Sequence, residues 1–195
     1  WSEIASFTTG ILTSDGYISN WIAHPAASVR APVLRKSIAI TKEIKEAVAF
    51  VSGIGAFYFY INGEQPDEAF MDPGMTEYPH RVTYSSYNVT SILNNGENTL
   101  GIILGEGMGA YSYSRKNRHH NPGKTEGPFS KPMGWLQLKI SYQDGSQQTF
   151  ITDQSWKVSK SHITYNNFFG GENYNANLFP KGWNENDFND SDWLN

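Results

Sequence analysis

Apolar and polar positions alternate along most of this chain in short runs, the period of a pleated strand rather than of a helix. Residues 33–40 (Val-Leu-Arg-Lys-Ser-Ile-Ala-Ile) predict a short strand, Lys42–Glu46 a charged turn, and Ala47–Val51 a buried strand. Ala56–Ile61 is an aromatic and β-branched run that fits a packed strand. It ends at Asn62-Gly63, a turn dipeptide because both residues tolerate positive φ. Arg81–Thr90 alternates throughout, Asn94–Asn98 reads as a turn, and Thr99–Leu104 as another apolar strand. Trp135–Tyr142 alternates again, Asp144-Gly145 signals a hairpin, and 148–152 and 156–158 continue the pattern. Helical periodicity and internal repeats are both lacking. Many short strands joined by Gly, Asn and Asp turns define an all-β chain, an antiparallel β-sandwich.

Three stretches fall outside this pattern. Residues 1–30 form an opening linker in which Trp21-Ile22 is the expected anchor, and 31–195 are the expected sandwich domain. The span from Gly105 to Gly134 is longer than loops normally are unless they have a function. The tail from Asn166 to Asn195 is rich in Asn, Gly and aromatics, with little periodicity.

Composition narrows the function classes. Lys and Arg total 15 against 19 Asp and Glu, a net charge of -4, which argues against a nucleic-acid partner. No apolar run approaches the ~20 residues of a membrane span. With 0 cysteines, disulfides, thiolate metal sites and a cysteine nucleophile are all excluded. The chain opens at Trp1 without a charged or apolar leader pattern, so a signal peptide, where the protein has one, lies outside this sequence.

Candidate chemistry concentrates behind Asn62-Gly63, where Glu64, Asp67, Glu68 and Asp72 share one loop. Converging carboxylates suit calcium, and they also accept hydrogen bonds from sugar hydroxyls; an ordinary solvated loop has the same composition. The 105–134 span carries Arg115, Lys116, Arg118, Lys124 and Lys131 with Tyr111, Tyr113, His119 and His120. It reads as a surface loop or docking surface before it reads as a grip for an anionic ligand. Asp187–Asp192 echoes a calcium loop but has Asp192 where glycine is required, so it reads as a turn. Trp135, Trp156, Trp183 and Trp193 fit core positions better than a sugar-stacking platform. No phosphate loop, His-Glu-x-x-His pair or Gly-x-Ser-x-Gly elbow is present.

Several motifs in order resemble one family. They are Phe7-Thr8-Thr9-Gly10, Pro32-Val33-Leu34-Arg35-Lys36, Ile61-Asn62-Gly63, Asp72-Pro73-Gly74-Met75-Thr76-Glu77-Tyr78, Gly96-Glu97-Asn98, Leu104-Gly105-Glu106-Gly107, Asp153-Gln154-Ser155-Trp156 and Gly182-Trp183. Together they are similar to the N-terminal accessory domain of bacterial α-L-rhamnosidases, glycoside hydrolases of the family 78 type. The resemblance implies a jelly-roll-like, galactose-binding-domain-like sandwich ahead of a catalytic domain, with no catalytic residue in this span. It further implies a secreted or periplasmic protein, with the cytoplasm left open.

Two roles follow from it. One is binding of L-rhamnose or a rhamnose-containing glycan at Asp67, Glu68 and Tyr78, with calcium held by Asp67, Glu68 and Asp72. The other is a module that docks on the catalytic domain of the same polypeptide and binds no ligand, which predicts an exposed apolar patch. Glu68-Ala69 stands where that family's sugar-binding Asp-Asn pair is expected, so an amide ligand is missing.

Overall fold

A computed structural model describes residues 9–110, 128–168 and 170–195. Its strands are β1 (Pro32–Ile40), β2 (Ile44–Ile54), β3 (Ala56–Ile61), β4 (Ser85–Asn88), β5 (Gly96–Gly105), β6 (Met133–Tyr142), β7 (Gln147–Ile151), β8 (Lys157–Lys160), β9 (Ile163–Asn167) and β10 (Gly171–Tyr174). Two four-stranded sheets, ordered β3-β5-β1-β8 and β4-β2-β6-β7, pair antiparallel throughout, and β9 and β10 make a separate hairpin.

The sandwich forms because each sheet has one continuous apolar face. From the first, Leu34, Ile38, Ile40, Phe57, Phe59, Ile61, Leu100, Ile102 and Leu104 point inward; from the second, Ala47, Ala49, Val51, Leu136, Leu138 and Ile140 meet them. Nearly all are fully buried, so shortening one of the large ones, such as Leu136→Ala, costs about 2–5 kcal/mol.

Asn62 locks the β3 end. Its side chain accepts from Thr99 N and donates to Asn98 Oδ1 and Ile92 O, tying β3 to β5 and to the turn ahead of it. Both Asn62 and Gly63 have positive φ, 52° and 87°, as a tight hairpin turn of this twist demands.

Both outer faces are partly covered. Ile11 from the opening segment packs on Phe50 and Trp135, while Trp135 Nε1 donates to Ser19 O and Ile18 N donates to Gln137 Oε1. Ile22 bridges to Gly134 and packs against the main core, whereas its neighbour Trp21 is exposed. On the other sheet, Trp183 packs on Val33 and Ile103, with Phe188 and Trp193 beside it.

The structure corrects three expectations. Ile44–Glu46 belongs to β2 rather than to a turn, because Ile44 pairs with Tyr142 across a bulge. The 81–90 strand shrinks to Ser85–Asn88, since β4 is an edge strand that pairs only over Val48–Val51. The β9–β10 hairpin straddles the start of the aperiodic tail, since β9 opens at Ile163 and β10 lies within the tail with a register shift between Asn173 and Tyr174. Trp135, Trp156 and Trp183 are buried, as core tryptophans should be.

Candidate functional site

The acidic loop begins as a tight turn in which Ile61 and Glu64 exchange both backbone hydrogen bonds. Asp67 then accepts from Ala69 N at 2.9 Å, closing a local turn with its own carboxylate. Asp72 bridges back to β3, its carbonyl accepting from Phe57 N at 2.7 Å, and its carboxylate accepts from the Tyr87 hydroxyl. Burial, reinforced by Asp72, raises the Tyr87 pKa, so this phenol keeps its proton and stays a donor.

Asp67 and Asp72 therefore come together, lining one crevice beside Phe57, Phe59 and Tyr87. Its free volume is about 10 Å³, enough for a single water. Glu68 is exposed and points elsewhere than this crevice. Tyr78 is not at the loop's site either. It is buried against Ile54 and Ala110 with its ring edge-on to Phe129, and burial raises its pKa.

Calcium asks for 6–8 oxygens, and of the Asp67, Glu68 and Asp72 carboxylates only Asp67 and Asp72 line the crevice. Among the described residues no three His, Asp or Glu side chains converge as a metal site would require. The basic cluster of the 105–134 span falls on residues 111–127, outside the described residues, except Lys131, whose ammonium donates to His24 O.

Two buried charge networks went unnoticed in the sequence. Arg35 is 2% exposed and reaches outward from β1: Nε donates to Trp183 O, Nη2 to Glu185 O, and Nη1 to Asp190 and Ser37. The guanidinium also lies over the Phe188 ring. One arginine thus pins the tail to the sheet. Glu106 is equally buried; it pairs with Arg30, whose remaining donors serve the Ser130, Ala27 and Ala110 carbonyls. Asn166 and Asn167 attach the β9–β10 hairpin to the same network through Glu106 N, Arg30 O and Glu106 Oε2.

A second concavity carries no signature in the sequence. A cleft of about 340 Å³ opens between the β3–β5 edge of the first sheet and the hairpin. Ile103, Leu104 and Gly105 line it from β5, Tyr58, Phe70 and Met71 from β3 and the loop that follows, and Ile163 and Phe168 from the hairpin. Its lining is overwhelmingly apolar, although Phe70 is 75% and Met71 50% exposed.

These features define a β-sandwich domain whose two buried charge networks serve its own packing and whose open cleft is lined mainly by apolar side chains. The family described as "Alpha-L-rhamnosidase N-terminal domain" matches residues 42–195, and the chain belongs to it. An α-L-rhamnosidase of Formosa agariphila is 34% identical over 163 residues, covering 84% of this chain and 17% of that protein. The solved α-L-rhamnosidase of Dictyoglumus thermophilum superposes with a TM-score of 0.81 at 32% identity, over 96% of this chain and 21% of that one. The Streptomyces avermitilis α-L-rhamnosidase, solved with L-rhamnose, gives 0.74 at 26% identity, over 85% and 16%. The chain thus spans about a fifth of the length of the relatives it matches.

Proposed function

We propose that this domain is a non-catalytic module of a longer α-L-rhamnosidase polypeptide and that it works by packing against the rest of that polypeptide. The observation that carries this reading is the exposed apolar surface at Phe70, Met71 and Phe168, while Asp67, Asp72 and Glu106 have partners within the domain. Large apolar side chains grouped at a concavity mark a surface that is covered in the working protein.

Deleting residues 1–195 from the longer polypeptide tests it. The truncated protein should melt at lower temperature and lose turnover of an aryl α-L-rhamnoside, while the domain alone turns over none. A truncated protein with unchanged melting and turnover would sink the reading. The other expectation, L-rhamnose with calcium at Asp67, Glu68 and Asp72, is decided by calorimetric titration of the domain. The packing reading expects no heat; a saturable signal abolished by Asp67→Asn would favour a ligand site instead.

A further inference from the structure

We infer that the cleft between β3, β5 and the β9–β10 hairpin is the seat of the packing contact, and that it receives an apolar segment from the part of the polypeptide outside this domain. This rests on the packing reading above and gives it a location and a partner chemistry.

The first argument concerns what the cleft can bind. Four side chains with polar atoms line it: Tyr58, Asn166, Asn167 and Glu172. Asn166 accepts from Glu106 N and donates to Arg30 O, and Asn167 donates its Nδ2 to Glu106 while its Oδ1 accepts from Gly170 N. A sugar held there would lose hydration of several hydroxyls and find mainly the Tyr58 hydroxyl and the Glu172 carboxylate to replace it. Burying hydroxyls with few partners is costly, so the lining favours aliphatic or aromatic side chains over a glycan.

The second argument is how the apolar wall is held. Phe70 is 75% exposed, yet its ring stands 6.4 Å from that of Tyr58. Met71, next to it, adopts φ 64°, in the left-handed region that non-glycine residues rarely enter. The exposed apolar run continues along the hairpin and beyond it at Tyr174, Leu178 and Phe179. Glu172 is exposed at the cleft, placed to accept from a basic side chain flanking the docked segment.

The third argument identifies the occupant. Relatives that align over 84% and 99% of this chain are only 17% and 22% covered by it, so most of each such polypeptide lies outside the domain. A covalently attached partner is present at high effective concentration, and a modest apolar contact then suffices to stay closed.

The experiment uses the longer polypeptide. The domain has 0 cysteines, so Phe70→Cys and Phe168→Cys introduce unique thiols at the cleft, and Thr149→Cys places a control on exposed β7 of the opposite sheet. Maleimide labelling rates are read peptide by peptide by mass spectrometry. Both cleft thiols should label at least an order of magnitude more slowly than Thr149→Cys, at every protein concentration.

Equal rates at all three positions overturn the inference. So does protection that disappears on dilution, which would mean a second copy, or protection that appears only with added L-rhamnose, which would mean a sugar subsite. The packing reading fails separately, through the deletion of residues 1–195. If that deletion destabilises the remainder while the cleft thiols stay open, the domain packs through another face.

Discussion

The outer face of the β3-β5-β1-β8 sheet is divided into two halves of opposite fate. Over β1 and the neighbouring part of β5, the tail lies down on Val33 and Ile103, and Trp183 is 3% exposed. Toward the other end of β5, the same sheet opens into the cleft, where Phe70, Met71 and Phe168 stay exposed. Ile103 belongs to both halves. The difference is polar. The covered half has Arg35 to satisfy three main-chain carbonyls and a carboxylate of the tail, so an irregular segment can be buried there without orphaned acceptors. Among the described residues the open half has no comparable arginine to spare, because Arg30 pairs with Glu106 and both hold the hairpin.

The largest effect should come from removing the anchor. Arg35→Met leaves Asp190 and the Trp183, Glu185 and Asn186 carbonyls without their donor, and breaking such a buried pair costs about 3–5 kcal/mol. Urea unfolding should show that loss, and Arg35→Lys should rescue little of it, since an ammonium cannot reproduce the planar fork. Retention of full stability in Arg35→Met would erase the contrast between the halves.

Gly101→Ala should follow. A Cβ there would sit 2.9 Å from the Trp183 ring, so the indole must move or the sheet must yield. Overpacking of this kind costs about 1–3 kcal/mol, with a change in tryptophan fluorescence that a remote substitution would not give.

The pH dependence sharpens the comparison from the open side. Burial holds both His24 and His162 below the ordinary 6.5, and His162 Nδ1 has no hydrogen-bond partner between Tyr174 and Phe179. The unfolded chain then takes up protons first, so their contribution is complete above pH 6.5 and declines as the pH falls below it. His162→Phe should flatten that decline, as followed by melting temperature against pH. An unchanged profile would place the acid sensitivity elsewhere.

The sandwich was legible in the sequence because its strands carry period-two alternation and its turns carry Asn62-Gly63 and Asp144-Gly145. The Asp67–Asp72 proximity was legible as well, since both sit on one short loop. The cleft was not. Phe70 lies in a loop and Phe168 in an aperiodic tail, and only the return of the chain from β8 into the β9–β10 hairpin brings them to one concavity. Arg35 was hidden for a related reason. A charged residue at an outward strand position ordinarily means solvent, and its burial depends on a tail more than a hundred residues later. Tyr78 sat in a motif that resembles a binding loop, yet its phenol ring was needed to fill the space between Ile54 and Ala110.

The smallest effect, and the most informative, concerns the open half. Phe70→Asp with Phe168→Asp alters exposed positions, and in the domain alone such changes should stay within about 0.5 kcal/mol each. The account therefore rests most directly on one paired measurement: the melting temperature of this double variant in the domain alone and in the longer polypeptide. The expected result is an unchanged value in the first and a fall of several degrees in the second. An unchanged value in both would contradict the claim that this domain works by burying its apolar cleft against the rest of its own chain.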